Sequence, residues 1–195
     1  AFIPALNSVE DWETGLKVLY ISPLKALIND QFQRISELSE YLDIPITRWH
    51  GEVSQAQKRK VVNQPKGVLL ITPESIEGML VNRPGEAEHL FKGVEWIIID
   101  ELHSFLGTER GIHLQSLLQR ISRFMQAPRF IAMSATLNKK DFGYAKAFFG
   151  SPRHTDILVD RVKNDLLITI DYTSGESGPF VARESLEAIY QYSKT

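Results

Sequence analysis

The sequence predicts an α/β domain, a mostly parallel sheet with helices on both faces. Short apolar runs recur along residues 18–133, at VLYI, ITRW, VLLI, WIII and FIAM. Each is nearly continuous instead of alternating, as in strands buried on both faces. Amphipathic stretches of helical period lie between them, and strand–helix alternation of this kind makes parallel sheets.

The elements follow in order. VLYI (18–21) is the first strand. After Pro23, the residues Leu24, Leu27, Ile28, Phe32, Ile35, Leu38 and Leu42 step by three and four, which predicts a helix. ITRW (46–49) is the second strand, and Lys58-Arg59-Lys60 reads as the solvated face of a helix. VLLI (68–71) is the third strand, followed by a helix that contains Gly78. WIII (96–99) is the fourth. Leu114, Leu117, Leu118, Ile121 and Met125 mark a helix over 111–125. FIAM (130–133) is the fifth strand. Asn138 to Asp141 reads as a capping box that opens a helix closing at Gly150, with Pro152 beyond. From about residue 153 the pattern changes. Strands are expected at 156–160 and 166–172, a linker at TSGESGP (173–179) and a helix at 180–193. The expected division is a domain over 1–152, then a linker and the start of a second domain over 153–195.

Composition excludes several classes. The 195 residues suffice for one sizeable domain, or one domain and part of another. With 43% hydrophobic and 24% charged residues, the balance is that of a globular protein. No apolar run approaches the ~20 residues that cross a bilayer, and the N-terminus carries no signal-like core, so no membrane partner is expected. Zero cysteines exclude disulfides and cysteine-ligated zinc and suit a reducing, cytoplasmic compartment. The net charge of −2 is not that of a protein that holds nucleic acid by bulk charge. Any such binding has to come from a local patch or from helix termini. His50, His89, His113 and His154 have no metal-like spacing and read as ordinary polar residues.

Two strand ends share one pattern. VLYISPLK (18–25) and VLLITPES (68–75) each run four apolar residues into Ser/Thr-Pro. Ser22 and Thr72 suit the N-cap, and Pro23 and Pro73 suit the first helical position, where no amide hydrogen is needed. Each helix start then offers free N–H groups and a positive dipole end to an anion, and Lys25 adds a cation to the first. Capping alone explains either site taken singly. Two on one sheet edge favour a phosphate backbone laid across it, because ligands of open α/β sheets bind at that edge.

WIIIDELH (96–103) ends a buried strand on two carboxylates. An Asp in this position can hold Mg²⁺ through water beside nucleotide phosphates. Glu101 can orient or deprotonate an attacking water, and His103 can bond a neighbour. A lone Asp-Glu pair would read instead as solvated carboxylates with Asp100 as a cap. FIAMSATL (130–137) brings Ser134 and Thr136 to the same edge, where their hydroxyls can link the Asp-Glu-Leu-His turn to other groups.

In this order the pieces resemble the first RecA-like (P-loop NTPase) domain of a superfamily 2 helicase. PLKAL (23–27) is similar to motif Ia, TPE (72–74) to motif Ib, DELH (100–103) to motif II and SAT (134–136) to motif III. VLYISPLKALINDQ (18–31), RWHGEVSQAQKRK (48–60) and DELHSFLGTERG (100–111) resemble the large helicase-related (Lhr) family of DEXH-box proteins. The resemblance covers about residues 1–150. It implies an ATP-driven translocase on single-stranded DNA, or RNA, with 3′-to-5′ polarity and a place in DNA repair. It implies that Asp100 coordinates Mg²⁺ through water and that Glu101 is the base for hydrolysis of ATP. His103, Ser134 and Thr136 would couple nucleotide state to nucleic-acid grip. Lys25 and Thr72, with amides near Pro23 and Glu74, would hold phosphates of one strand, and His50-Gly51 and Arg110-Gly111 would shape the channel. The second RecA-like domain of the same chain is the expected partner.

One part of the family pattern is not among these residues. The sequence contains no G-x-x-x-x-G-K-[ST] phosphate-binding loop. AFIPAL (1–6) resembles the second half of the helix that follows this loop, which places the loop upstream. These residues alone are expected not to hydrolyse ATP at a useful rate. Two rival readings are a non-catalytic RecA-like module that binds nucleic acid, and a motor that moves along duplex without separating strands.

Overall fold

The computed structural model describes residues 2–149 and 156–159. The chain divides into two compact units, Ala1–Ile157 and Leu158–Thr195. The first unit carries every described strand: β1 (Gly15–Ile21), β2 (Ile46–Trp49), β3 (Lys66–Ile71), β4 (Trp96–Ile99) and β5 (Arg129–Ala132). They form one sheet in the order β2-β3-β1-β4-β5, every neighbouring pair parallel. The apolar runs are its strands.

Alternation along each strand divides the core between the two faces. Leu19, Ile21, Leu69, Ile71, Ile97 and Ile99 pack on one side with residues of α4 (Pro73–Asn82), α5 (Pro84–Phe91) and α6 (Glu109–Ile121). Val18, Tyr20, Val68, Leu70 and Ile98 pack on the other with α1 (Phe2–Ser8) and α2 (Lys25–Leu42). The remaining helices are α3 (Gln55–Asn63) and α7 (Phe142–Phe148). Helices therefore cover both faces, as the continuous apolarity of the central strands requires. β3 begins where Gly67 crosses Pro45. Its φ is +68°, and a Cβ there would fall 1.9 Å from the Pro45 carbonyl oxygen, so no side chain fits.

Several expectations need correcting. FIAM was expected to be buried on both faces, but Arg129, Phe130 and Ala132 are exposed, because β5 pairs only with β4 among the described residues. The helix expected over 111–125 starts earlier, at Glu109, where Thr108 Oγ1 accepts the Gly111 N–H. It then gives way at Ser122 to a 3₁₀ turn. Asp141 does accept the Asn138 N–H, at 3.3 Å, yet the capped turn is 3₁₀ and α7 begins only at Phe142. α5 was not anticipated at all. It starts on Pro84, which needs no amide partner, and no side chain caps it. The strand expected at 156–160 is not seen at 156–159, which have no regular secondary structure. The expected domain boundary at 152/153, the strand at 166–172, the linker at 173–179 and the helix at 180–193 lie outside the described residues.

Candidate functional site

Register places the site. Ile21 is opposite Ile71 and Ile99, Trp49 is opposite Ile71, and Ile99 is opposite Ala132. The strands therefore end level, and the next residue of each lies in one row along the carboxyl edge. Across the sheet that row reads His50, Thr72, Ser22, Asp100 and Met133. Among the described residues the buried polar side chains are Ser22, His50, Thr72 and Asp100, all members of this row. Burying a polar group is unfavourable unless something bonds to it. Here Ser22 Oγ and His50 Nδ1 have no hydrogen-bond partner within the described residues.

The Asp-Glu-Leu-His turn follows β4. Asp100 is 8% exposed. Its Oδ1 accepts the Glu101 N–H at 3.0 Å, and its Oδ2 accepts the Tyr20 hydroxyl from β1. Burial, then the hydrogen bond to Asp100, pushes the Tyr20 phenol far above its ordinary range, so it stays a donor. Each carboxylate oxygen keeps a second acceptor position, so Asp100 fits a hydrated divalent cation. Glu101 has φ 50° and ψ 46°, a left-handed conformation that costs a non-glycine residue ~1–2 kcal/mol. Strain of this kind concentrates at functional sites. The left-handed residue turns the chain across to β5, and Leu102 N–H donates to the Met133 carbonyl at 2.8 Å. His103 Nδ1 lies 3.2 Å from Glu101 Oε2 and 3.2 Å from Ser134 Oγ. The structure thus brings Asp100, Glu101, His103 and Ser134 together. Thr136 is exposed and shares none of these contacts.

The two helix starts differ. Thr72 caps α4 as expected, its Oγ1 accepting the Ser75 N–H at 3.4 Å with Pro73 in the first helical position. Ser22 does not cap α2, which begins at Lys25. Its amide still belongs to the sheet edge and donates to the Ile71 carbonyl at 3.2 Å. The first helical bond runs from Ile28 N–H to Leu24 O, so the free amides of α2 are those of Lys25, Ala26 and Leu27. Pro23 lies before the helix, where its carbonyl accepts from Arg110 at 2.5 Å.

Charged partners in this region were not foreseen. Lys25 Nζ lies 2.5 Å from Glu52 Oε1, both side chains exposed, and the bond to Lys25 lowers the Glu52 carboxyl below its usual range. Glu74 is turned toward Arg110, which donates to it through Nε and an Nη at 2.9 and 2.6 Å. Gly51 is exposed in the turn after β2, with open space where a Cβ would stand. His50 Nε2 bonds Asn29 Oδ1 at 3.1 Å, and burial foremost lowers its pKa. Tyr20 carried one missed signal, since a phenol inside an apolar strand needs a partner when buried.

No helix of the described residues is long and apolar enough to cross a membrane. The DEAD/DEAH box helicase family model matches residues 1–142. ATP-dependent helicase Lhr-Core protein 2 of Thermococcus barophilus is 31% identical over 91% of this chain and 24% of that protein. Among solved structures, Mycobacterium smegmatis helicase Lhr bound to ssDNA and AMP-PNP has a TM-score of 0.64 and 30% identity, over 75% of this chain and 20% of that one. The DUF1998 helicase MrfA bound to DNA and AMPPNP has a TM-score of 0.65 and 25% identity, over 76% of this chain and 21% of that one. The chain thus spans about a quarter or less of the length of these relatives. With a parallel RecA-like sheet, the ordered motifs on its carboxyl edge and a family model matched over most of its length, this chain belongs to the DEAD/DEAH box helicases of superfamily 2.

Proposed function

We propose that this chain supplies the first RecA-like motor domain of an Lhr-type, ATP-dependent helicase that moves on single-stranded DNA, with RNA the alternative strand. The observation that carries the reading is the row of buried polar side chains along one sheet edge. A fold needs no such row for stability, and two of its atoms lack partners. The β2, β3 and β1 end of the row, with the free amides of α2 and the Glu74 amide of α4, suits the phosphates of a strand. The β4 and β5 end suits a nucleotide. Relatives in the two solved structures hold DNA and a nucleotide analogue together.

In this reading Asp100 holds a Mg²⁺ ion through water, with Tyr20 and the Glu101 amide fixing its carboxylate. The ion would neutralise charge on the nucleotide phosphates. Glu101 takes the proton of the attacking water, and the left-handed turn sets where its carboxylate stands. His103 touches both Glu101 and Ser134, so a change at the nucleotide reaches β5. Thr136 and Gly51 belong to the same assignment on the resemblance alone. A second RecA-like domain would complete the motor, which we place in the cytoplasm. The 195 residues contain no phosphate-binding loop, and this favours binding without hydrolysis for these residues taken alone.

The test is Glu101→Gln in the full-length protein that carries this domain. Strand-stimulated ATP turnover should fall by about 10²–10⁴, while calorimetry still shows Mg-ATP binding. Turnover at the wild-type rate would remove Glu101 from the role of base.

A further inference from the structure

Resting on the reading that the starts of α2 and α4 hold strand phosphates, we propose that Arg110 is a positioning residue. It sets the separation of those two helix starts and does not itself bind phosphate.

Three observations carry this. The first is where its donors go. Nε and one Nη bond Glu74 Oε1 at 2.9 and 2.6 Å, and the same Nη bonds the Pro23 carbonyl at 2.5 Å. One guanidinium therefore joins Pro23, two residues before α2, to the first turn of α4. The second bond to Glu74, from Nε, fixes the plane of the fork, a constraint that a freely rotating ammonium on a flexible stem lacks. A phosphate bound through Nε and that Nη would have to displace the carboxylate already there.

The second is charge. Glu74 lies in the first turn of α4 and carries the one amide there that is left to receive a phosphate, since Pro73 has none and those of Ser75 and Ile76 bond Thr72. An unpartnered carboxylate there would repel the strand. Arg110 neutralises it and holds it aside.

The third is how Arg110 is itself held. A Cβ on Gly111 would fall 1.9 Å from the Phe105 carbonyl oxygen, so the first turn of α6 is pressed against the exit of the Asp-Glu-Leu-His turn. Thr108 reinforces that contact, donating to Phe105 O at 2.9 Å and accepting from Gly111 N at 3.1 Å. The Arg110 guanidinium also lies over the Phe105 ring, 5.7 Å from its centroid. The anchor of Arg110 is thus the segment that follows Glu101, and its reach ends at Pro23 and Glu74.

Arg110→Lys and Arg110→Ala separate positioning from phosphate contact. The 195-residue chain is titrated against a fluorescent single-stranded oligonucleotide at low salt. Separately, amide hydrogen exchange is followed without nucleic acid. Positioning predicts that Lys is as damaging as Ala, each about tenfold weaker in binding. It also predicts faster exchange at Ile28 and Ile76, which make the first helical hydrogen bonds of α2 and α4. Near-wild-type binding by Arg110→Lys, or unchanged exchange at both amides, would overturn the proposal. If the wild-type chain binds no oligonucleotide, the nucleic-acid reading falls. The exchange rates then decide the positioning role by themselves.

Discussion

Tyr20 and Asp100 sit on neighbouring strands and meet across the sheet, hydroxyl to carboxylate. The pairing joins the strand of motif Ia to the first carboxylate of motif II. It leaves Asp100 with one donor at each oxygen, so the carboxylate cannot rotate without losing a hydrogen bond. Tyr20→Phe removes one donor from a buried carboxylate and changes little else, since the ring still stacks on Phe2 at 5.2 Å. An acceptor left without its partner costs ~1–3 kcal/mol. Urea unfolding of the chain should show a loss in that range. In the full-length protein the same variant should need more Mg²⁺ for half-maximal turnover. A variant as stable as wild type, with the same Mg²⁺ dependence, would mean the hydroxyl does not orient Asp100. Glu101 makes the complementary point in its backbone. Its left-handed conformation is unfavourable for any side chain, and this position still carries a carboxylate.

Between elements, the contacts that hold helix to helix are the ones that respond to acid. Glu77 of α4 accepts from His113 at 3.1 Å and from Arg120 at 2.7 Å, both on α6. Arg120 foremost, then His113, holds the Glu77 carboxyl below its usual value of 4.5. Folding therefore favours the ionised form. The stability this gives is complete above pH 4.5 and is lost as pH falls through the lowered folded value. Glu77→Gln should be less stable than wild type at neutral pH, and the gap should close as pH falls below 4.5. Thermal unfolding of both chains across that range checks it, and a gap independent of pH would show that packing, not charge, is what Glu77 supplies. Elements also differ in how legible they are in the sequence. The central strands β1, β3 and β4 were legible because burial on both faces admits almost nothing polar, and the α2 stripe was legible because one face must be apolar. Helix starts were less so. Ser22-Pro23 and Thr72-Pro73 look alike in sequence, yet only Thr72 caps. Ser22 stays in the sheet ladder, and Arg110, 87 residues from Pro23, holds its carbonyl. The Asp-Glu-Leu-His turn was legible from its order with the other motifs. Its support was not, because Tyr20–Asp100 and Arg110–Glu74 pair residues 80 and 36 positions apart.

At the scale of the whole molecule, charge and topology act together. The net charge is −2, so no general positive field draws a strand to the sheet edge. What the edge offers is local: two helix starts, with Lys25 paired to Glu52. The number of phosphates held should then be small. For single strands the logarithm of affinity falls with the logarithm of salt at about −0.7 per phosphate neutralised. Two phosphate positions predict a slope of about −1.4 for the 195-residue chain. Oligonucleotide binding measured from low to moderate salt gives that slope directly. A slope steeper than about −3 would require at least four phosphates, more than the α2 and α4 starts can hold. The excess would have to come from a basic surface, and the exposed Arg59 and Lys60 on α3 are where it should be sought. Replacing both with Gln would then flatten the slope. If the shallow slope is found, the same replacement should leave it unchanged, and the strand is held by helix starts ordered along one edge of the sheet.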